Sequence, residues 1–235
     1  METRLLFILA VLFCCITGLS QDDPGSETKE GILTDGRDGQ QYRWVKIGDQ
    51  VWMAQNLNIG DIIRIGSNGR SNIVFVEKHC YDNKPAYCKK FGGLYTDYTI
   101  SQYSAGESSQ GICPAGWHLP SEGEWMELLN YLGGIETASG ALKDTSAIFQ
   151  GKIDKTATNS TGFTALPGGE AIYDDNAFYY NGVGKFCFFW SSTESYSLIY
   201  NKKGYRYLYL SRNKNSVHFA KSSVGSAFSV RCVKD

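Results

Sequence analysis

The side chains that could bind a metal ion or carry out catalysis are few in this sequence. There are three histidines, and none lies at a metal-ligand spacing from another: His79, His118 and His218. The closest approach to a soft-metal site is His79-Cys80 followed by Cys88, because imidazole and thiolate are the ligands that zinc prefers. In an oxidising compartment the same two cysteines favour a disulfide instead.

Acidic residues and loop motifs do not complete a catalytic site either. Asp97 and the pair Asp174-Asp175 offer oxygen ligands for Ca²⁺, but no EF-hand spacing surrounds them, and we interpret them as solvated turn residues. The sequence has neither a Gly-x-x-x-x-Gly-Lys-Ser/Thr loop for phosphates nor a Gly-x-Ser-x-Gly motif for a serine nucleophile. We therefore expect no metal site, no cofactor and no enzymatic activity.

Charge and composition narrow the functional classes further. The 235 residues include 23 basic and 24 acidic side chains, a formal net charge of -1. A protein that binds a phosphate backbone carries a basic excess, so we do not expect a nucleic acid as the partner. The 15 tyrosines, 12 phenylalanines, 5 tryptophans and 26 glycines favour short strands, tight turns and aromatic surfaces over a helical bundle.

The N-terminal residues are typical of an export signal. Residues 1–20 combine Arg4 with a short apolar run and end in small residues, which predicts a signal peptide and a secreted or cell-surface protein. The apolar run is too short to span a bilayer, so we expect no transmembrane segment. Cys14 and Cys15 leave lipoprotein anchoring as a less favoured alternative, because neither follows a suitable lipobox residue. Residues 21–30 are polar and predict a flexible lead-in.

Five cysteines follow the signal peptide: Cys80, Cys88, Cys113, Cys187 and Cys232. Export favours disulfides between four of the five. Sequence order alone does not choose the pairing. Cys80 and Cys88 bracket a polar loop that contains Asn83 and Pro85, and this separation allows a short bridge. Cys187 lies among phenylalanines, which is typical of a buried thiol.

The local elements of the sequence are mostly short strands. Residues 42–47 and 50–53 are rich in aromatic and β-branched side chains, and the intervening Gly48-Asp49 predicts a two-residue hairpin turn. Further strands are predicted over residues 217–220 and 228–233.

One helix is also predicted. Ser121 and Glu124 form a capping-box pattern, and Gly133-Gly134 ends the apolar periodicity that follows. This periodicity predicts a helix that packs on the core through three residues: Trp125, Leu128 and Leu129.

Tyrosines alternate along one strand of the C-terminal part. Tyr205, Tyr207 and Tyr209 are separated by single residues, which places their side chains on one face of a strand.

A series of motifs in fixed order resembles one bacterial family. The motifs are GILTDGRD (31–38), IGDQVWMAQNLN (47–58), CYDNKPAYC (80–88), GICPAGWHLPS (111–121), TGFTALPGG (161–169), FWSSTE (189–194) and FSVRCVKD (228–235). Over residues 31–235 the chain resembles the Fibrobacter succinogenes major paralogous domain family. The resemblance implies one exported domain, often at the cell surface, in a family without a settled biochemical activity.

The segment WHLPSEGEW (117–125) is similar to one in formylglycine-generating enzymes, which share the C-type lectin-like fold. This likeness implies an α+β domain with a twisted antiparallel β core, one or two flanking helices and long loops. In that fold the segment before the helix lies beside the last strand. The resemblance therefore implies a Cys113–Cys232 disulfide, and with the local arguments above we predict a separate Cys80–Cys88 disulfide and a reduced Cys187.

The activities of these relatives do not transfer directly. Formylglycine-generating enzymes bind copper through two cysteines near the end of the domain, whereas the corresponding part of this chain offers only Cys232, far in sequence from Cys187. Lectins that bind sugars through Ca²⁺ use Glu-Pro-Asn or Gln-Pro-Asp with Trp-Asn-Asp, and none of these tripeptides occurs.

We therefore predict a non-enzymatic binding module for a glycan or an envelope protein. Strand-end placement by resemblance and the alternating tyrosines give the candidate ligand-binding residues: Trp190, Ser191, Glu194, Tyr205, Tyr207 and Tyr209. We expect the first three at or near a surface groove, with one of the tyrosines close by. The first alternative is a formylglycine-generating type of enzyme, which requires Cys187 and Cys232 to meet as free thiols. The second alternative is a structural envelope component.

Overall fold

The structure is a computed structural model that describes residues 29–62, 76–101, 109–146, 152–197, 202–223 and 225–235. The predicted signal peptide and most of the predicted lead-in lie outside the described residues. Among the residues that the structure describes, no helix is both long and apolar enough to cross a membrane.

The described residues form an α+β domain that consists mostly of strands. The strands are β1 (Glu30–Thr34), β2 (Gln41–Ile47), β3 (Gln50–Met53), β4 (Asp61–Ile62), β5 (Glu77–Lys78), β6 (Tyr95–Thr96), β7 (Trp117–His118), β8 (Glu170–Asp174), β9 (Ala177–Asn181), β10 (Phe186–Ser197), β11 (Lys202–Ser211), β12 (Val217–Lys221), β13 (Ser226–Phe228) and β14 (Val233–Lys234). The helices are α1 (Pro85–Phe91), α2 (Asp97–Ser101), α3 (Glu122–Tyr131) and α4 (Ser139–Leu142), and a 3₁₀ turn covers Tyr81–Asn83.

These strands form antiparallel sheets, apart from a parallel pair of β4 and β5. The five-stranded sheet has the order β1-β2-β3-β14-β7, and the four-stranded sheet has the order β6-β13-β8-β9. The third sheet is β10-β11-β12. The predicted hairpin is confirmed: β2 pairs with β3 around Gly48, whose φ of 61° is the left-handed conformation that this turn requires.

Helix α3 begins and packs as its sequence predicts. The Ser121 side chain accepts a hydrogen bond from the Glu124 amide, and the Glu124 carboxylate accepts one from the Ser121 amide, so the capping box is complete. Trp125, Leu128 and Leu129 are buried. The Trp125 ring centroid lies 4.4 Å from that of Trp52 on β3 and 5.8 Å from that of Phe189 on β10, so α3 joins two of the sheets.

The predicted final strand over residues 228–233 is wrong as a continuous element. β13 ends at Phe228 and β14 begins at Val233, because the chain passes here from the four-stranded sheet to the five-stranded sheet. Arg231 lies between them and is fully buried. Its guanidinium donates to four oxygen acceptors, which are Asn56 Oδ1 and the backbone carbonyls of Met53, Phe163 and Thr164.

The disulfides are the two pairs implied by the resemblance. Cys80 is bonded to Cys88 and Cys113 to Cys232, with Cα–Cα distances of 5.0 Å and 6.0 Å. Cys187 is a free, buried cysteine. The long bridge ties the segment before α3 to the segment before β14.

Candidate functional site

The structure separates the six predicted ligand-binding residues. Trp190 and Ser191 are 0% exposed and Tyr205 is 6% exposed, so the expectation that Trp190 and Ser191 lie at a surface groove is wrong, and Tyr205 is too buried to be the tyrosine beside it. The Trp190 indole donates to the Tyr95 carbonyl at 2.7 Å, and its ring lies 4.6 Å from that of Phe228. These contacts place Trp190 in the core.

The motif that follows Trp190 forms a β-bulge. Trp190 pairs with Tyr207 and Glu194 pairs with Tyr205, so β10 carries extra residues between the two pairs. Ser192 donates its amide to the Pro120 carbonyl at 2.8 Å, and the Thr193 hydroxyl accepts the Glu122 amide at 2.9 Å. The bulge therefore holds the start of α3, which is the physical reason that Ser191 faces inward.

Glu194 stands apart from the other predicted residues. Its side chain is 48% exposed and forms an ion pair with Lys203 on β11. An exposed pair of this kind contributes little to stability. Glu194 is therefore a surface residue, although Tyr205, with which it pairs, is buried.

Tyr207 and Tyr209 are half-exposed, and they lie on an aromatic face of the sheet. Tyr207 pairs with Trp190 and Tyr209 with Phe188, so β10 and β11 present their rings together on the side away from α3. The Phe188 centroid lies 6.0 Å from that of Tyr207 and 5.8 Å from that of Tyr209, and Phe186 lies 6.2 Å from Tyr209.

Phe228 of the four-stranded sheet is buried and packs against these rings. The Phe228 ring lies 4.4 Å from Tyr207 and 5.3 Å from Phe188. Ala227 pairs with Ala171 in the neighbouring strand, so Phe228 and Glu170 each lie one residue along and on the same face. Glu170 pairs in turn with Asn181 of β9. We call this region the aromatic cleft and define it by seven residues: Glu170, Asn181, Phe186, Phe188, Tyr207, Tyr209 and Phe228.

Glu170 is the carboxylate of the aromatic cleft. It is half-buried, and the Asn181 side-chain amide donates to it at a long 3.5 Å. Burial raises the pKa of Glu170 because it disfavours the charged form, and the hydrogen bond from Asn181 opposes this only in part. Burial also raises the pKa of Tyr207, and the nearby charge of Glu170 raises it further. A half-buried carboxylate beside an aromatic surface is a candidate binding group.

Two glycines bring Phe186 close to this carboxylate. Gly169, which precedes Glu170, donates its amide to the Phe186 carbonyl at 3.1 Å, and Phe186 donates its amide to the Gly182 carbonyl at 2.9 Å. A Cβ on Gly182 would lie 2.9 Å from the Phe186 ring, and φ at Gly182 is 79°. A side chain at this position would displace the ring, so the cleft requires glycine there.

Charged groups also lie at the edge of the cleft. The Lys185 ammonium lies 4.8 Å from the Phe186 ring centroid, and the exposed His218 ring stacks on Tyr209 at 5.0 Å. Among the described residues, Lys185 is a cation that lies against one of these rings. This contact fits the attraction of aromatic faces for positive charge.

His118, the histidine of the WHLPS motif, makes contacts that are structural and do not form a ligand-binding site. His118 Nδ1 lies 2.7 Å from Asp235 Oδ1, and Nε2 lies 2.6 Å from Glu124 Oε1. The hydrogen bond to Glu124 raises the pKa of His118 despite burial, and His118 and Ser121 together lower the pKa of Glu124 to about 2. The protonated ring then donates to both carboxylates and ties α3 to β7 and the C-terminal residues.

The described residues offer no group of three or more histidine, cysteine or acidic side chains that could hold a metal ion. Cys187 opens onto a small cavity that Lys143 and Asp154 also line. Burial raises the pKa of its thiol to about 12, so the sulfur is protonated and unreactive at neutral pH. Lys143 is paired with Asp154 at 2.8 Å.

Sequence reasoning missed five members of the cleft. Phe186 and Phe188 were noted only as neighbours of Cys187, and Phe228 only as the start of a strand. Glu170 and Asn181 carry no motif of their own. The alternation along β10 could have found two of them: Phe186 and Phe188 point away from Cys187 and Phe189, and such a strand has one buried face and one aromatic face.

The family to which the chain belongs is shown by its sequence. The family model of the Fibrobacter succinogenes major domain matches residues 45–234, which is most of the chain. The chain therefore belongs to the Fibrobacter succinogenes major domain family. Neither a curated protein nor a solved structure matches it.

Proposed function

We propose that the chain is an exported, non-enzymatic binding module with a C-type lectin-like fold, and that it binds glycans in the aromatic cleft. The observation that carries the proposal is the row of half-exposed rings on the outer face of β10 and β11. Flat aromatic faces stack on the apolar faces of sugar rings, and tyrosine does so with little loss of side-chain entropy. The Tyr207 and Tyr209 hydroxyls, the Glu170 carboxylate and the Asn181 amide can each bind sugar hydroxyls.

Two disulfides support export, because such bonds persist in oxidising compartments. They also support a non-enzymatic role. The formylglycine-generating alternative needs free thiols at Cys187 and Cys232, whereas Cys232 is bonded to Cys113 and the Cys187 thiol is buried and protonated. The C-type lectin-like fold is supported by the antiparallel sheets, the capped helix α3 and the bridge between Cys113 and Cys232.

A glycan array followed by titration calorimetry tests the proposal. We expect Tyr209→Ala to weaken binding about ten-fold, the loss of one ring contact of roughly 1.4 kcal/mol. Tyr131→Ala is the matched control, because Tyr131 is 66% exposed but lies on α3 outside the cleft. A silent array, or equal affinity of the wild type and Tyr209→Ala, contradicts glycan binding in the cleft. Capture of an envelope protein by a chain that binds no glycan would instead favour a protein ligand.

A further inference from the structure

A cavity of about 160 Å³ lies where the start of β2, the chain after β3 and the end of α1 meet. Gly92, at a φ of 80°, allows this close approach, because a Cβ there would lie only 2.6 Å from the Asn56 Cβ. Asn56 donates its side-chain amide to the Phe91 carbonyl at 2.7 Å and so fixes the end of α1. Pockets for drug-sized ligands measure roughly 300–1,000 Å³, so this cavity suits a smaller ligand such as a single sugar ring.

The wall of the cavity carries hydrogen-bonding groups that the fold leaves unused. The buried Tyr42 hydroxyl accepts the Asn58 amide at 3.1 Å, and its own hydrogen has no acceptor among the described residues. Burial raises the pKa of Tyr42 to about 12, so this hydrogen is available to a ligand at neutral pH.

Two side-chain amides in the same wall are also incompletely bonded. The Asn58 side-chain oxygen is buried without a hydrogen-bond partner among the described residues. Gln55 accepts the Arg43 amide through Oε1 at 2.7 Å, which leaves its Nε2 hydrogens for a ligand. Unpaired buried polar groups are costly, and hydroxyl groups suit this wall because each can both donate and accept.

The charge of the lining favours an anion. The described residues that line the cavity include Lys89 and Lys90 and no aspartate or glutamate. Both lysines are exposed at the end of α1, and the Lys90 ammonium lies 5.1 Å from the ring centroid of Phe91, another lining residue. Asp38 accepts the Gln40 side-chain amide but does not itself line the cavity. A ligand carboxylate would therefore meet two ammonium groups.

We propose that this cavity is a second binding site, and that it takes one acidic sugar unit. The sugar hydroxyls bind to Tyr42, Gln55 and Asn58, and the sugar carboxylate faces Lys89 and Lys90. The cavity shares no lining residue with the aromatic cleft, so this inference goes beyond the proposed function and does not depend on it.

The test compares D-glucuronate with D-glucose by NMR titration, because the two sugars differ only in the carboxylate. We expect the signals of the Gln55 and Asn58 side-chain amides to shift with both sugars. Glucuronate should bind about five-fold more tightly, the effect of two exposed ammonium groups, and the preference should decrease as salt is added.

Variants separate the two parts of the site. Lys89→Gln/Lys90→Gln should remove the preference for glucuronate and keep the affinity for glucose. Lys84→Gln/Lys155→Gln is the matched control, because it removes the same charge from two exposed lysines outside the cavity, and it should keep the preference. Gln55→Ala should weaken both sugars about five-fold, the loss of a hydrogen bond. Melting curves establish that each variant is folded.

Each contrary outcome overturns a stated part of the proposal. Equal affinity for the two sugars, or a preference that Lys89→Gln/Lys90→Gln retains, overturns the selection of an acidic sugar. Acetate that binds as tightly as glucuronate overturns the sugar as the ligand. Binding that Tyr209→Ala abolishes would place the sugar in the aromatic cleft. If neither sugar shifts the amide signals, the second site is overturned, and the glycan array still decides the function of the cleft. If the lysine variant fails to fold, a preference that is insensitive to salt overturns the role of the two lysines.

Discussion

The two faces of the sheet β10-β11-β12 share strands and register but differ in chemistry. The inner face is sealed against α3 by residues that are at most 3% exposed: Cys187, Phe189, Leu208, Leu210 and Val217. On the outer face Phe188, Trp190 and Tyr205 are buried, but Tyr207, Tyr209 and Phe186 are half-exposed. The inner face therefore provides stability, whereas the outer face leaves apolar area and a carboxylate available for a ligand. Substitutions on the two faces should separate folding from binding.

The largest expected loss of stability follows removal of the Cys113–Cys232 disulfide. The Cys113–Cys232 bridge spans a sequence separation of 119, against 8 for Cys80–Cys88. The chain-entropy argument predicts that loss of the long bridge costs roughly 4–5 kcal/mol and loss of the short one about 2–3 kcal/mol. Chemical denaturation of the double variants Cys113→Ser/Cys232→Ser and Cys80→Ser/Cys88→Ser measures the free energy of unfolding that is lost with each bridge. Equal losses would show that the bridges do not act through the unfolded chain.

The adjacent residues Leu208 and Tyr209 provide the direct comparison of the two faces. Leu208→Ala should cost about 2–5 kcal/mol, because it leaves a cavity in a fully buried site. Tyr209→Ala should cost less, since its ring is half-exposed, yet it should weaken glycan binding about ten-fold. Melting curves measure the stability of the two variants, and titration calorimetry measures their affinity for the glycan. A Tyr209→Ala protein that is as unstable as Leu208→Ala would show that the outer face is core.

A smaller change in stability is expected when pH alters the charge of His118, which lies on β7 and is bonded to Glu124 of α3. The raised pKa of His118 gives stability that is complete below pH 6.5 and is lost as the pH rises through the folded pKa. The lowered pKa of Glu124, about 2, gives stability that is present above 4.5 and is lost as the pH falls towards 2. This cluster therefore stabilises most between pH 4.5 and 6.5.

Melting temperatures of the wild type and His118→Gln across pH 3–9 measure the effect of this cluster. The gap between the two proteins should be widest between pH 4.5 and 6.5 and should narrow at pH 9, while glycan binding of the folded variant stays unchanged. A gap that does not vary with pH would show that the charge on His118 is unimportant.

The smallest effect is expected at Cys187, at the edge of the inner face. Its buried, protonated thiol should not react with an alkylating reagent at neutral pH in the folded protein lacking residues 1–20, and should react once denaturant is added. Mass spectrometry counts the modified thiols. Rapid labelling of the native protein, or of Cys232, would revive the enzyme alternative.

The sequence predicted the elements that local chemistry determines. The Ser121–Glu124 capping box specifies where α3 begins, and the alternation of the tyrosines specifies that they share a face of β11. The depth of each ring could not be predicted, because it depends on contacts with other strands: Tyr205 packs on Trp190 and is buried, whereas Tyr207 packs on Phe228 of another sheet and stays half-exposed. Burial of Trp190 depends in the same way on Tyr95, 95 positions away in the chain. The pKa of Glu170 is raised by burial, which no local motif of the sequence indicates.

The position of β14 determines the order in which the molecule is completed. β14 lies between β3 and β7 in the five-stranded sheet, although it is the last of these strands to leave the ribosome. Until it arrives, β3 has an unpaired edge and Cys113 has no bonding partner, and an open strand edge invites pairing with other chains. Closure of the five-stranded sheet therefore waits for the last of its strands. Chains that stop before Val233 should leave the β3 edge open to pairing with other chains.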